Sequence, residues 1–328
     1  MNHIDWPKFA AHVKNGKCFL LISHIRPDCD ALGSELGLAA GLRKLGKEVH
    51  IINGHATPPN LAFIDPKKSI QQIDVDIQRN ALPPFDLAIV LDTSAWAQLG
   101  PMGEVLKTLS CKKLLVDHHV SEDELGTENF KNTTAEATGR LMVEALDALG
   151  VPLDEEIATP LFAAIATDTG WFRFSSATGD TYRVTSRLID AGANPSKIFN
   201  SLYEQDTLGR IKLRGEILAR VITEQSGRLV HTYVLKEDFP RLGALPSDTE
   251  DAINLALGVK GTEVAVILVE QPAGGFKVSF RSRSKVDCAA LASQFGGGGH
   301  KAAAGAFAEG NLEQAQARVL DAVRAAMQ

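Results

Sequence analysis

Four cysteines in 328 residues, scattered at Cys18, Cys29, Cys111 and Cys288, are too few and too irregularly spaced for a disulfide framework or a zinc knuckle. Basic charge is not in excess. Thirty-four Lys and Arg stand against 40 Asp and Glu, a formal net charge of -6, so the chain lacks the positive field of a protein that holds long duplex nucleic acid. Any contact with nucleic acid must be local, at a patch or an end. No uninterrupted apolar run reaches the length of a membrane span. The opening residues, Met1-Asn2-His3-Ile4-Asp5-Trp6-Pro7, hold no basic segment leading into an apolar one. Internal repeats and low-complexity tracts are missing as well. These absences predict a cytoplasmic protein in a reducing compartment, with no membrane partner and no long duplex.

What is present is a chain of about two domains on the length prior, with an ordinary apolar fraction of 45%. The stretch Leu114-Leu115-Val116-Asp117-His118-His119 organises the first half. A short apolar run ending in polar groups predicts a buried strand that delivers those groups at its C-terminal edge, where open parallel sheets place their ligands. Two further runs end the same way. Residues 18–22 break into His24-Ile25-Arg26-Pro27-Asp28-Cys29-Asp30, and residues 86–91 into Asp92-Thr93-Ser94. Pro27 keeps Arg26 out of helix, and apolar residues at helical spacing follow from Leu32. Strand, loop, helix and strand in succession imply a parallel sheet. A mostly apolar helix over 155–166 runs into Thr167-Asp168-Thr169-Gly170, and residues 195–221 read as one long charged helix. Beyond it the pattern turns to alternation, with strands over 228–235, 263–270 and 275–283, a hairpin signal at Pro272-Ala273-Gly274-Gly275, and a helix over 248–257.

His24, Asp28, Asp30, Asp92, His118 and Asp168 supply four carboxylates and two imidazoles from these ends. Oxygen and nitrogen donors without thiolate suit manganese- or magnesium-like ions better than structural zinc. Four carboxylates a few ångströms apart repel and raise each other's pKa, whereas two divalent ions cancel about four negative charges. The cluster makes sense as a two-metal site. Cys29, between two candidate ligands, reads as a spacer.

With these residues in hand, the chain resembles the DHH phosphoesterase family. The first and third of its motifs, His24 to Asp30 and Asp117-His118-His119, carry the likeness most specifically. Asp92-Thr93-Ser94 and Thr167-Asp168-Thr169-Gly170 add to it, and Phe280-Arg281-Ser282 and the glycine run before His300 resemble the DHH-associated domain. The resemblance covers nearly the whole chain and favours the nano-RNase and pAp phosphatase branch. It implies an α/β fold, with a parallel-sheet catalytic domain over 1–195, a helical linker over 196–222 and a smaller mixed α/β substrate-binding domain over 223–328, the active site lying in the cleft between domains.

The resemblance also implies roles. His24, Asp28 and Asp92 would hold one manganese, and Asp30, Asp92, His118 and Asp168 the second, with Asp92 bridging; magnesium or cobalt are the substitutes. Asp117 would orient an imidazole, and His119 would face the substrate phosphate, stabilising charge or protonating the leaving group. Arg281, Arg283, Lys285, His300 and Lys301 form a local basic set, and Gly297, Gly298 and Gly299 would let backbone N–H groups approach a phosphate; a solvated edge strand and a flexible turn are the plainer readings. Arg173 would clamp a second phosphate or is a surface arginine. Trp171, Phe172 and Phe174 stack a base or fill the core. Glu136 and Asn254 are further contacts by the same analogy. The expected activity is hydrolysis of RNA fragments of two to four residues to 5′-mononucleotides, and of adenosine 3′,5′-bisphosphate (pAp) to AMP. The alternative is a cyclic dinucleotide phosphodiesterase acting on cyclic di-AMP. The sequence is silent on oligomeric state and leaves room for a homodimer.

Overall fold

The apolar runs of the first half become strands because each is short, bounded by turn residues and buried on both faces. The structure, a computed structural model, describes residues 4–120, 123–249 and 252–328. Its first compact unit ends at Gln205 and its second begins at Asp206. In chain order the first unit contains α1 (Trp6–Asn15), β1 (Cys18–Ile22), α2 (Cys29–Lys44), β2 (Glu48–Asn53), β3 (Ile70–Gln72), β4 (Leu87–Leu91), α3 (Trp96–Leu99), α4 (Pro101–Thr108), β5 (Lys112–Asp117), β6 (Glu128–Lys131), α5 (Thr138–Ala148), α6 (Glu155–Asp168), α7 (Gly179–Asp190) and α8 (Pro195–Tyr203).

Its six strands lie in the order β3-β2-β1-β4-β5-β6, and every pairing is parallel. Alternate residues face two separate cores. Phe19, Leu21, Ile89, Leu114 and Val116 pack with α1, α2, α5 and α6. Leu20, Ile22, Ala88, Val90 and Leu115 pack with α3 and α4. Sheet order reverses direction between β1 and β4, so a crevice opens at their C-terminal ends. α2 lies against α6 at glycine distance: a Cβ on Gly33 would come within 2.4 Å of the Pro160 carbonyl oxygen. This close approach brings the start of α2 beside the end of α6.

The second unit contains α9 (Leu208–Ala219), β7 (Ile222–Glu224), β8 (Leu229–Val234), α10 (Asp238–Leu242), α11 (Ala252–Leu257), β9 (Val264–Glu270), β10 (Phe276–Ser282), α12 (Cys288–Ser293), β11 (Gly298–His300), β12 (Ala303–Ala308) and α13 (Leu312–Ala326). Its six strands run β11-β12-β10-β9-β8-β7; β8 and β9 are parallel and the other pairs antiparallel. The chain is thus α/β, with a parallel sheet in one unit and a mixed sheet in the other. Among the described residues, no helix is long and apolar enough to cross a membrane.

The structure corrects the single helix expected over 195–221. α8 and α9 are separate, because Thr207 caps α9 by accepting from Arg210 N–H, and Asp206 pairs with Arg210 and Arg214 at the break. Their apolar faces also serve different cores, Ile198 in the first unit and Leu213 and Ile217 in the second. Of the helix expected over 248–257, the part from Ala252 is observed, and residues 250–251 lie outside the described residues.

Candidate active site

The site grows from the C-terminal ends of β1, β4 and β5. His24 follows β1, and its Nδ1 donates to the Ile25 carbonyl at 2.9 Å, which turns Nε2 inward. That nitrogen lies 3.4 Å from Asp92 Oδ2 and 3.9 Å from Asp28 Oδ1. Asp28 caps α2, accepting from the N–H groups of Asp30 and Ala31 at 3.0 Å. Asp92 is the first residue beyond β4 and sits in the left-handed region at φ 62°, which Asp tolerates better than most residues. His118 follows β5, and its Nδ1 donates to the Ala135 carbonyl at 3.2 Å. Its Nε2 lies 3.6 Å from Asp92 Oδ1, 3.6 Å from Asp168 Oδ2 and 3.8 Å from Asp30 Oδ2. Asp168 is the last residue of α6. All six expected ligands therefore converge.

They converge as two groups, His24 with Asp28 and Asp92, and Asp30 with His118 and Asp168, and a third, Asp92 with His118 and His119, joins them; the donor atoms of each lie within 4.8 Å of one another. Asp92 turns one oxygen toward each group. Asp30 and Asp92 are 2% exposed, yet among the described residues neither has a Lys or Arg ion-pair partner. Burial raises the pKa of both well above the ordinary carboxylate range, and their acidic neighbours push the same way. Asp168 is raised too, again by burial first. An acidic cluster of oxygen and nitrogen donors, two of its acids buried without a Lys or Arg partner and Asp28 open to solvent, fits divalent metal ions. Cys29 adds no thiolate, because burial pushes its thiol up to about 12.

Comparison with known proteins bears on this geometry. The DHH family, N-terminal domain, matches residues 18–165, and the DHHA1 domain matches residues 227–328. The bifunctional oligoribonuclease and PAP phosphatase NrnA of Thermus thermophilus is 33% identical over 305 residues, 93% of this chain and 88% of its own. The protein of the same name from Bacillus subtilis is 29% identical over 294 residues, 88% of each chain. The chain belongs to the DHH family. Its members are metal-dependent phosphoesterases. An exopolyphosphatase-related protein from Bacteroides fragilis shares the fold, with a TM-score of 0.86 at 24% identity over 100% of this chain and 97% of the other. RecJ from Thermus thermophilus in complex with Mn2+ shares it more loosely, with a TM-score of 0.51 at 14% identity over 98% of this chain and 55% of the other.

The two remaining residues of the DHH motif divide their work. Asp117 is fully buried, and its Oδ1 accepts from the His119 backbone N–H at 3.0 Å and from His119 Nδ1 at 2.8 Å. Burial opposes its charge, but these hydrogen bonds hold its carboxyl below the usual range. His119 is raised to about 9, first by its bond to Asp117. Its side chain is 49% exposed, so the second ring nitrogen is open to solvent.

Other expected residues fall in varied surroundings. Arg173 is exposed and its Nε donates to the Gly170 carbonyl at 2.7 Å. Between them Trp171 and Phe172 hold φ values of 58° and 62°, costly for bulky side chains. Both pack on the core, with rings against Phe162, whereas Phe174 is 55% exposed. Glu136 is buried, with Arg140 at 3.5 Å, and Asn254 is exposed on α11. In the second unit, Arg281 pairs across β12 Ala303 with His300 of β11, so the two share one cross-strand row and one face. Arg283 and Lys285 are exposed beyond the end of β10, and Lys301 is exposed after β11. The glycine run makes an edge strand. A Cβ on Gly297 would meet the Gly305 carbonyl at 2.2 Å, and one on Gly299 would meet Ala304 Cα at 2.6 Å, whereas Gly298 faces open space.

Sequence reasoning missed Lys131 and Thr138. Lys131, 11% exposed in its side chain, lies 3.4 Å from Asp117 Oδ2 and donates to Ser94 Oγ at 2.7 Å. Its segment, Glu128–Lys131, holds a single apolar residue and gave no sequence signal. Thr138 reaches two candidate ligands at once, donating to Asp30 through its N–H and to Asp92 through its hydroxyl.

Proposed function

We propose that this protein is a manganese-dependent phosphoesterase that hydrolyses very short oligoribonucleotides to 5′-mononucleotides and converts pAp to AMP. The observation that carries the reading is the Asp92 carboxylate, whose two oxygens face two His/Asp groups at 3.4 and 3.6 Å. The relatives named for oligoribonuclease and PAP phosphatase activity, 33% and 29% identical along nearly the full chain, support the substrate class. His24, Asp28 and Asp92 would hold one divalent ion, and Asp30, Asp92, His118 and Asp168 the other. Bound there, two such ions neutralise the carboxylates, polarise a phosphate and make water more acidic.

The chain's own groups do the rest. His24 and His118 each donate Nδ1–H to a backbone carbonyl, which aims Nε2 inward and makes it the nitrogen through which each ring would ligate. Asp117 fixes the His119 ring through Nδ1, so that Nε2 can donate to a phosphoryl or leaving oxygen. Lys131 balances the second oxygen of Asp117. Arg281 and His300, in their shared row, would grip the terminal phosphate that both substrates carry, with Arg suited to paired hydrogen bonds. All four cysteines are free, which suits the cytoplasm, where we place the activity. The test is a side-by-side assay of pApA, longer oligoribonucleotides, pAp and cyclic di-AMP, with manganese and with chelator. The reading expects turnover of pApA and pAp only with metal. Cyclic di-AMP turned over far faster than pApA would transfer the assignment to a cyclic dinucleotide phosphodiesterase.

A further inference from the structure

Helix α5 begins without a cap of its own. Ala137 holds the N-cap position and makes no side-chain bond. The first two N–H groups, of Thr138 and Gly139, donate instead to the two oxygens of Asp30, at 2.7 and 2.8 Å. A carboxylate has about four acceptor positions, so Asp30 caps the helix and still has lone pairs to offer elsewhere. The Thr138 hydroxyl donates to Asp92 Oδ1 at 2.8 Å, and the residue is fully buried. One threonine thus grips two acids from two different elements. Its choice of oxygen matters. Asp92 leaves β4 in a left-handed conformation, so no strand geometry fixes its side chain. Oδ1 is the oxygen facing His118, and Oδ2 the one facing His24. Pinning Oδ1 sets the rotation of the carboxylate between the two groups. The approach needs glycine next door: a Cβ on Gly139 would lie 2.6 Å from Ala164 Cβ and 3.2 Å from Asp30 Oδ1.

We propose that Thr138 is a positioning residue of the two-cation site, its N–H holding Asp30 and its hydroxyl setting the turn of Asp92 between the cations. This rests on the cation reading given above. The test is calorimetric titration of the metal-free protein with Mn2+, alongside kinetics on pApA, for wild type, Thr138→Val and Thr138→Ser. Valine keeps the shape and removes the donor, and serine keeps the donor. Wild type should bind two ions. The valine variant should bind at least one of them ~10–100-fold more weakly, the usual cost of losing a group that orients a ligand. Its kcat should fall while KM for pApA stays within about threefold, and serine should restore both binding and kcat. Should the valine variant not melt cooperatively, Thr138→Ala replaces it against the same serine control. Mn2+ binding by the valine variant at wild-type affinity overturns the proposal, as does a serine variant as weak as valine. A wild type that binds no Mn2+ refutes the cation reading itself and this inference with it, an outcome distinct from two ions bound equally well by both proteins.

Discussion

Replacing Asp117 with Asn removes one charge and almost no volume from a fully buried position. Asp117 faces His119 and Lys131, and neither of the two groups of convergent donors includes it. Asn can still accept from the His119 backbone, but its bond to the ring becomes neutral, and Lys131 loses its anion. A hydrogen bond to a charged partner contributes about 1.5–3 kcal/mol, which converts to a fall of roughly 10–150-fold in kcat. Bound manganese should stay at the wild-type ratio. His118→Ala is the contrasting variant, because it deletes the nitrogen that faces Asp30, Asp92 and Asp168. It should lose activity and manganese together. The assay pairs turnover of pApA with elemental analysis of the dialysed proteins. Equal loss of manganese in both variants would refute the division between residues that face the ions and one that orients His119.

Asp92→Ala should abolish turnover and reduce bound manganese at both positions, since its two oxygens serve both groups; a variant with normal metal content and activity contradicts the shared carboxylate. Arg281→Ala should leave bound manganese unchanged and lower kcat/KM for pApA by roughly 10–150-fold, the loss of a charge-assisted bond to phosphate, while a 5′-hydroxyl dinucleotide is little affected. An equal effect on both dinucleotides removes Arg281 from the role of terminal-phosphate anchor. Glu35, buried in α2, is pushed from 4.5 to about 8, by burial first. The native state then keeps a proton that the unfolded state loses, so stability falls as pH rises from about 4.5 to 8. Each pH unit in that window is worth about 1.4 kcal/mol at most. Glu35→Gln should flatten the pH dependence of metal-free stability across the window, measured by denaturant melts; curves parallel to wild type would show that Glu35 titrates normally.

Legibility followed burial. The strands ending at Ile22, Leu91 and Asp117 were readable because each holds an unbroken apolar run buried on both faces, Leu114 to Val116 in the last of them. The convergent acids and histidines were readable because each follows such a run or closes an apolar helix. Lys131 was not, because its relation to Asp117 is a cross-strand register between β5 and β6, and β6 is four residues long with little apolar signal. Thr138 was hidden for a similar reason: only the packing of α5 against α2 and α6 shows that its hydroxyl meets an acid 46 residues earlier. The glycine run carried a requirement its spacing does not show: Gly297 and Gly299 are needed for the close approach of β12. The long helix over 195–221 read as continuous because its charge pattern runs on, although its apolar residues serve two cores.

The arrangement of the acids sets a conflict between folding and function that the fold resolves locally. Asp30 and Asp92 are buried beside each other with only imidazoles facing them among the described side chains of opposite potential charge. Such burial favours the protonated forms, which are poor ligands. Backbone N–H groups and a hydroxyl from the start of α5 oppose that tendency, because hydrogen bonds to an anion stabilise it without adding a competing charge. A lysine in the same place would pair with the acids permanently and compete with any cation. Lys131 is accordingly found one step back, against Asp117, where a fixed positive charge balances the acid that holds His119 and leaves Asp30 and Asp92 without a permanent partner.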